Sequence, residues 1–436
     1  MARDMKDSGI EWIGKIPVEW NVRPIKNSFS IVSGSTPNSD KAEYWDGDIA
    51  WITPADFKTI DKYTSGGSRY ITKEGYNSCS TSIIPKGSII FSKRAPIGSV
   101  VINTIDLCTN QGCLSCIKND KTDSVFFYYI MSVYDDVFNQ FGSGTTFKEI
   151  SATTFSDFIL PLPPLEEQKL ISSFLDSKCS KIDKAIEATK ASIEEYKKLR
   201  QNIITEAVTK GLNSNVMMKE SNTGYIGFIP SNWELKKLRY IGSCQNGISK
   251  GAEFFGDEGF PFVNYSDVYK NTYLPIPSGK IRSTKEEQII YSVEEGDIFF
   301  TRTSETIEEI GFSSVCLKTI PEATFAGFLI RVRPTSNELD VRYSAYYFRS
   351  DVHRRYFTKE MNLVTRASLG QTLLKNIPVL IPPMEEQQRI ADYLDRKCSE
   401  IDSLIKSKEK LIEELTAYRK SLIYEYVTGK KEVPAE

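Results

Sequence analysis

Pro163-Pro164-Leu165-Glu166-Glu167-Gln168 opens a stretch with no further proline or glycine until Gly211, and 219 positions later Pro382-Pro383-Met384-Glu385-Glu386-Gln387 opens it again. Lys178-Cys179-Ser180 returns as Lys397-Cys398-Ser399, Ile182-Asp183 as Ile401-Asp402, and Glu206-x-Val208-Thr209 as Glu425-x-Val427-Thr428. Roughly 22 of about 49 positions are identical without a gap, so the chain carries one segment twice. Further out, Ile13-Gly14-Lys15-Ile16-Pro17-Val18-Glu19-Trp20 is echoed by Ile226-Gly227-Phe228-Ile229-Pro230-Ser231-Asn232-Trp233. Between these anchors the halves agree only in pattern. The order is variable block, constant segment, variable block, constant segment.

The proline pair can end a strand and open a helix, because the first helical turn has N–H groups without partners. Glu166 and Glu167 then face the positive end of the helix dipole. Read in sevens, Leu175, Ile182, Thr189, Tyr196 and Ile203 fill one seam position, and Cys179, Ile186, Ile193, Arg200 and Ala207 the other. The second copy gives Leu394, Ile401, Lys408, Leu415 and Leu422, with Cys398, Ile405, Ile412, Arg419 and Tyr426. This spacing predicts two long helices, over 163–211 and 382–430, with a coiled-coil seam. About 43 residues at 1.5 Å each make a rod of roughly 65 Å. The seams match in length and type, which predicts antiparallel pairing within the chain rather than two helices lying on separate cores. Each buried seam Leu or Ile contributes about 1.5–3 kcal/mol, more than enough to offset a few polar seam positions. Antiparallel pairing is expected to hold the two blocks at opposite ends of the rod about an approximate two-fold axis. With its midpoint near residue 187, Arg200 is expected beside Asp395 and Arg419 beside Asp176.

The variable blocks, over 1–162 and 212–381, mix strand and turn signals. Gly87 and Gly296 each precede an apolar run, as at strand entry, and Val100-Val101-Ile102 and Phe328-Leu329-Ile330 read as further strands. Apolar residues in Val125–Phe138 and Tyr343–Tyr356 recur at helical spacing, predicting one helix per block. Phe126-Phe127-Tyr128-Tyr129 is matched to Ser344-Ala345-Tyr346-Tyr347. The expected class is α+β: two mixed α/β domains separated by two long antiparallel coiled-coil helices, as a pseudo-two-fold repeat.

Composition removes several function classes. His353 is the one histidine, which leaves no ligands for a His-rich zinc site and no HExxH peptidase. Eight unevenly spaced cysteines read as reduced thiols of a cytoplasmic protein, not as a disulfide framework. Cys108-x4-Cys113-x2-Cys116 imitates metal-ligand spacing, but it has no evident fourth ligand, and the alternation around it also fits a buried strand. No metal is therefore expected. Met1 to Trp12 lacks the apolar core of a signal peptide, and the longest aromatic-rich run, Val125 to Tyr134, is about half the ~20 residues needed to cross a bilayer. The chain also lacks Asn/Asp-Pro-Pro-Tyr/Phe and GxxxxGK[ST], and Glu167-Gln168-Lys169 places its charged pair on diverging helix faces. No catalytic set emerges.

The duplicated Leu160-Pro161-Leu162-Pro163-Pro164-Leu165-Glu166-Glu167-Gln168 and Ile381-Pro382-Pro383-Met384-Glu385-Glu386-Gln387, with the Ile-Gly-x-Ile-Pro-x-x-Trp openings, resemble the specificity subunit of type I restriction–modification systems. The resemblance spans essentially the whole chain. It implies that each variable block is a target-recognition domain reading one half of a split sequence in double-stranded DNA. It further implies that the helices act as a ruler and dock two methyltransferase (modification) subunits, to which restriction (endonuclease/translocase) subunits are added. S-adenosylmethionine, ATP and Mg would then belong to those partners, with no cofactor in this chain. Two other readings stay open: a coiled-coil scaffold with paired protein- or glycan-binding domains, and a self-contained nuclease–methyltransferase fragment.

Lys+Arg 55 against Asp+Glu 57 gives a net charge of −2, so any grip on DNA must be local. Residues 51–100 carry seven basic against three acidic side chains, and residues 329–375 nine against four. The candidate contacts are Lys58, Arg69, Lys86, Lys93, Arg94, Thr145 and Lys148 in the first block, and Arg302, Arg331, Arg333, Arg354, Arg355 and Arg366 in the second. Arginine can pair bidentately with guanine and an amide with adenine, which adds Asn110, Gln111 and Gln371. Asp56 and Asp267 would orient an arginine, accept from cytosine or cap a turn.

Overall fold

The computed structural model describes residues 3–59, 62–94, 96–143, 148–304, 310–360 and 367–434. The chain forms two compact units, residues 1–189 with 410–436 and residues 190–409, so each unit holds one variable block and part of both constant helices. In the first unit, β1 (Phe29–Ser33), β3 (Tyr63–Thr64), β4 (Ile89–Ser92), β5 (Val100–Asn103) and β7 (Cys113–Lys118) form a sheet in the order β1-β7-β4-β5-β3, antiparallel except for its last pair. β6 (Cys108–Thr109) leaves this sheet to pair in parallel with β2 (Trp45–Ile52). α1 (Ser124–Val133), capped by Asp123, packs on the sheet, and a separate helix α2 (Asp135–Phe141) follows it.

The second unit repeats this plan. β8 (Gly242–Asn246), β10 (Ile298–Thr301), β11 (Ser313–Val315) and β13 (Leu329–Pro334) lie in the order β8-β13-β10-β11, and β12 (Thr324–Phe325) pairs in parallel with β9 (Phe255–Val263). Asp340 caps α4 (Val341–Tyr347), and α5 (Asp351–Glu360) follows. Each expected single helix is thus two shorter ones. The cap residues fix the correspondence as Asp123 with Asp340, which matches Tyr129 to Tyr346, not Tyr347.

The constant segments are helices α3 (Leu165–Lys210) and α6 (Met384–Val427). Within the first unit Asp183 meets Arg419 and Phe174 packs against Tyr426, so one helix rises as the other falls. Within the second, Tyr196 meets Lys408 and Arg200 meets Asp402, again antiparallel. Leu175, Ile182, Ile193, Leu394, Ile401 and Leu422 are buried in the seam, while Ile186, Ile203, Ile405, Ile412 and Leu415 are half-buried. Toward the end of α3 the deepest position passes from Ile203 to Ile204, where the helix meets the core of the second unit. The expected ion pairs need correction: the arginines sit one heptad further along, at 402 instead of 395 and at 183 instead of 176. Among the described residues no helix is long and apolar enough to cross a membrane.

The motif residues build the joint between block and helix. Gln168 is fully buried; its Oε1 accepts from the Asp123 amide (2.9 Å), and its Nε2 donates to the carbonyls of Pro163 (2.9 Å) and Lys121 (3.2 Å). Gln387 does the same with Asp340 (2.8 Å), Pro382 (2.9 Å) and Glu338 (2.8 Å). One residue earlier, Glu167 accepts from Trp20 Nε1 at 2.8 Å and Glu386 from Trp233 Nε1 at 3.0 Å. The opening and closing motifs of each block therefore meet. Asp176 and Asp395, freed from the expected ion pairs, accept instead from the hydroxyls of Tyr129 (2.6 Å) and Tyr346 (2.7 Å).

Gln387→Leu strands a buried amide and two carbonyls, each worth about 1–3 kcal/mol; denaturant unfolding should show a loss on the order of 3 kcal/mol, and an unchanged midpoint would contradict the joint. His353 is wholly buried against Tyr347 and Phe348, and burial pushes its pKa down to about 3. The unfolded imidazole titrates near ~6.5, so below that pH the unfolded state binds the extra proton and stability falls by about 1.4 kcal/mol per pH unit. Unfolding curves at pH 7 and pH 5 should therefore diverge more for the wild type than for His353→Phe.

Candidate nucleic-acid interface

At the end of β4 the chain passes through Lys93, whose N–H donates to the Gly112 carbonyl (3.0 Å) and whose carbonyl accepts from Ile150 N–H (3.0 Å). Arg94 pairs with Glu149 through the backbone, and the strand β1 exits across the same turn, with Ser35 N–H on the Thr109 carbonyl at 2.9 Å. A Cβ on Gly34 would lie 2.2 Å from the Asn110 carbonyl oxygen, so only glycine lets the exit pass this close. Four segments of the first unit thus converge on one junction.

The second unit builds this junction with the same hydrogen bonds. Arg302 N–H donates to the Phe328 carbonyl (2.9 Å), and the Arg302 carbonyl accepts from Leu369 N–H (2.7 Å). Thr303 pairs with Ser368, and Ile248 N–H donates to the Phe325 carbonyl (2.9 Å). Gly247 takes the place of Gly34, since its Cβ would lie 2.1 Å from the Ala326 carbonyl oxygen. The backbone bonds therefore equate Lys93 with Arg302, Arg94 with Thr303, Glu149 with Ser368 and Gly112 with Phe328. One backbone frame presents two different sets of side chains.

The frame gathers part of the sequence-derived set. Lys93, Arg94, Asn110, Gln111 and Lys148 lie at the first junction, and Arg302 and Gln371 at the second. Lys93 and Arg94 both bind Glu149, at 2.8 and 2.7 Å. Burial alone would raise the Glu149 carboxyl, but these two hydrogen bonds hold it below the usual range. Asn110 Oδ1 accepts from Gly112 N–H (2.9 Å) and holds the turn, Gln111 is exposed, and Gln371 donates to Asn246 (3.0 Å). Lys86 lies at the opposite end of β4 from Lys93, and Arg69 stacks on Trp45 at 3.5 Å; neither joins the junction. The side chain of Lys58, together with Thr145 and Arg366, falls outside the described residues.

Among the described residues, much of the basic excess of residues 329–375 is buried or paired. Arg331 needs correction: it is 6 % exposed, and its guanidinium donates to the Ser292 carbonyl at 2.6 Å and to Gln245. Arg333 binds Asp297 and Glu294, both at 2.7 Å. Arg349 donates to the carbonyls of Ser313, Val268, Tyr269 and Asn271, and burial pushes its pKa down to about 10. Arg354 lies over Phe312 and Phe357 and is likewise pushed by burial to about 10, so it also faces inward. Arg355 is exposed. Asp56 caps the turn at Thr53 and Asp267 closes a capping box with Asn264, which selects the turn-capping role for both. Cys113 and Cys116 are buried in β7, where burial pushes both thiols up.

Sequence reasoning missed the positioning roles of Gln168, Gln387, Asp176 and Asp395, although their recurrence in both copies was visible. It also missed Phe328, 63 % exposed at the second junction, which it placed inside a strand.

The type I restriction modification DNA specificity domain matches residues 17–195 and again 230–417. The MjaIX specificity subunit of a Methanocaldococcus jannaschii type I restriction enzyme is 31% identical over 320 residues, 70% of this chain and 71% of its own. The EcoKI specificity subunit of Escherichia coli is 22% identical, over 95% of this chain and 90% of its own. A solved chain of a type I R-M system, described for its complex assembly and conformational transition, shares the fold at a TM-score of 0.73, with 16% identity over 95% of this chain and 99% of that one. The HsdS subunit from Thermoanaerobacter tengcongensis matches at 0.52, again at 16% identity, over 95% and 98%.

Proposed function

The chain belongs to the type I restriction–modification DNA specificity family, and we propose that it is a non-catalytic recognition subunit whose two junctions each read one half of a split sequence in double-stranded DNA. The observation that carries this reading is the twofold construction of one backbone frame with unlike side chains: Lys93, Arg94, Gln111 and Gly112 against Arg302, Thr303, Gly327 and Phe328. A shared frame serves docking to the regular phosphate backbone, while the unlike side chains serve different base edges. Arg302, beyond the last residue of β10, is suited to guanine. The uninterrupted helix α3, 46 residues long, supports a fixed interval between the half-sites. The same helices dock two methyltransferase subunits, and restriction subunits join that core. S-adenosylmethionine, ATP and Mg act in those partner chains, in the cytoplasm where the chromosome lies.

Mapping methylated bases in a host with and without this chain should reveal a bipartite motif that vanishes with it; a motif that persists would reject the reading. In the same assay Arg302→Ala should relax one base position, at a cost of about 1–3 kcal/mol there, and leave the other half-site intact. Adding one heptad to both long helices should lengthen the unspecified spacer without altering either half-site. An unchanged spacer would defeat the ruler.

A further inference from the structure

Phe328 closes the turn between β12 and β13. Its neighbours in that turn, Phe325 and Leu329, are fully buried, whereas Phe328 itself is 63 % exposed. Four backbone hydrogen bonds fix the turn: Ala326 N–H to the Val263 carbonyl, Gly327 N–H to Ile248, Leu329 N–H to Ala326, and Arg302 N–H to Phe328 itself, all between 2.8 and 3.0 Å. A large apolar ring is therefore held out into water on a backbone that cannot retract it. The residues that the frame brings to the same turn are polar: Arg302, whose N–H binds the Phe328 carbonyl, and Ser249, whose hydroxyl lies against Gly327.

On the base edges of the major groove the thymine 5-methyl is the one apolar group, and phenylalanine is among the side chains that contact it. We propose that Phe328 is a specificity-determining residue that reads the 5-methyl group of a thymine in the half-site of the second unit. The inference rests on the DNA-reading function above and adds the chemical group recognised. At the equivalent position the first unit has glycine, Gly112. A Cβ on Gly112 would lie 2.9 Å from Pro54 Cγ, so no side chain fits there, and the neighbouring position presents the amide of Gln111. Methyl reading from this position is thus confined to the second unit, and the other half-site serves as an internal control.

The test uses the full chain, purified from its host with its native subunits, and a randomised duplex library. Selection identifies the preferred sequence, and Arg302→Ala identifies the half-site that belongs to the second unit. Deoxyuridine then replaces each thymine of that half-site in turn, removing the methyl and nothing else. One replacement should weaken wild-type binding about fourfold, the worth of one buried methyl. The same replacement should not affect Phe328→Ala, and Phe328→Leu should retain part of the discrimination. Indifference of the wild type to every replacement, or a half-site without thymine, overturns the proposal while leaving the DNA-reading function standing. Phe328→Ala weakening all sequences equally, as loss of an inserted wedge would, overturns it as well. Failure to select any sequence rejects the parent reading and this one together.

Discussion

A glutamine side chain out of reach of water joins each block to its helix. Gln168 and Gln387 each accept the amide of a helix-capping aspartate and donate to two carbonyls, one of them in the helix's own approach. Buried polar groups without partners cost about 1–3 kcal/mol each, so any tilt that broke the joint would strand several at once. The indole–carboxylate bonds of Trp20 and Trp233, one residue earlier, and the tyrosine–aspartate bonds about two turns further along the helix restrain the same direction. Because every one of these groups recurs in the second copy, both blocks leave their helices at the same local geometry.

That constraint leaves the junction free to vary. Its frame consists of bonds between main-chain groups, and these are indifferent to the side chain carried at each position. The glycines at 34 and 247 are dictated by contact with the main chain itself, since any Cβ would drive into a carbonyl oxygen. Lysine in one unit therefore stands where arginine does in the other, and glycine where phenylalanine does, while the strands meet in the same way. A fold of this kind can change what it recognises while keeping how it is built.

Much of this was legible in the sequence, and the failures share physical causes. The repeat, the helices and their antiparallel seam were readable because identical residues recur at a fixed offset with a heptad period. The register was misplaced by one heptad because a shift of seven keeps every seam residue facing a seam; only the flanking aspartates at 183 and 402 distinguish the alternatives. Arg331 was taken for a surface cation because its partners, the Ser292 carbonyl and Gln245, are distant in sequence. Phe328 resembled a strand residue, since local pattern does not reveal that the strand begins one position later. The resemblance to a known family identified what the chain is, but not which side chains converge.

If recognition is divided between two separately built junctions, a single chimaera exposes the division. Residues 212–381 are replaced by a second copy of residues 1–162, and the methylated sequence is mapped in the host. One half of the original motif should disappear and the other half should occur at both places. A folded, active chimaera that still methylated the original second half would contradict it.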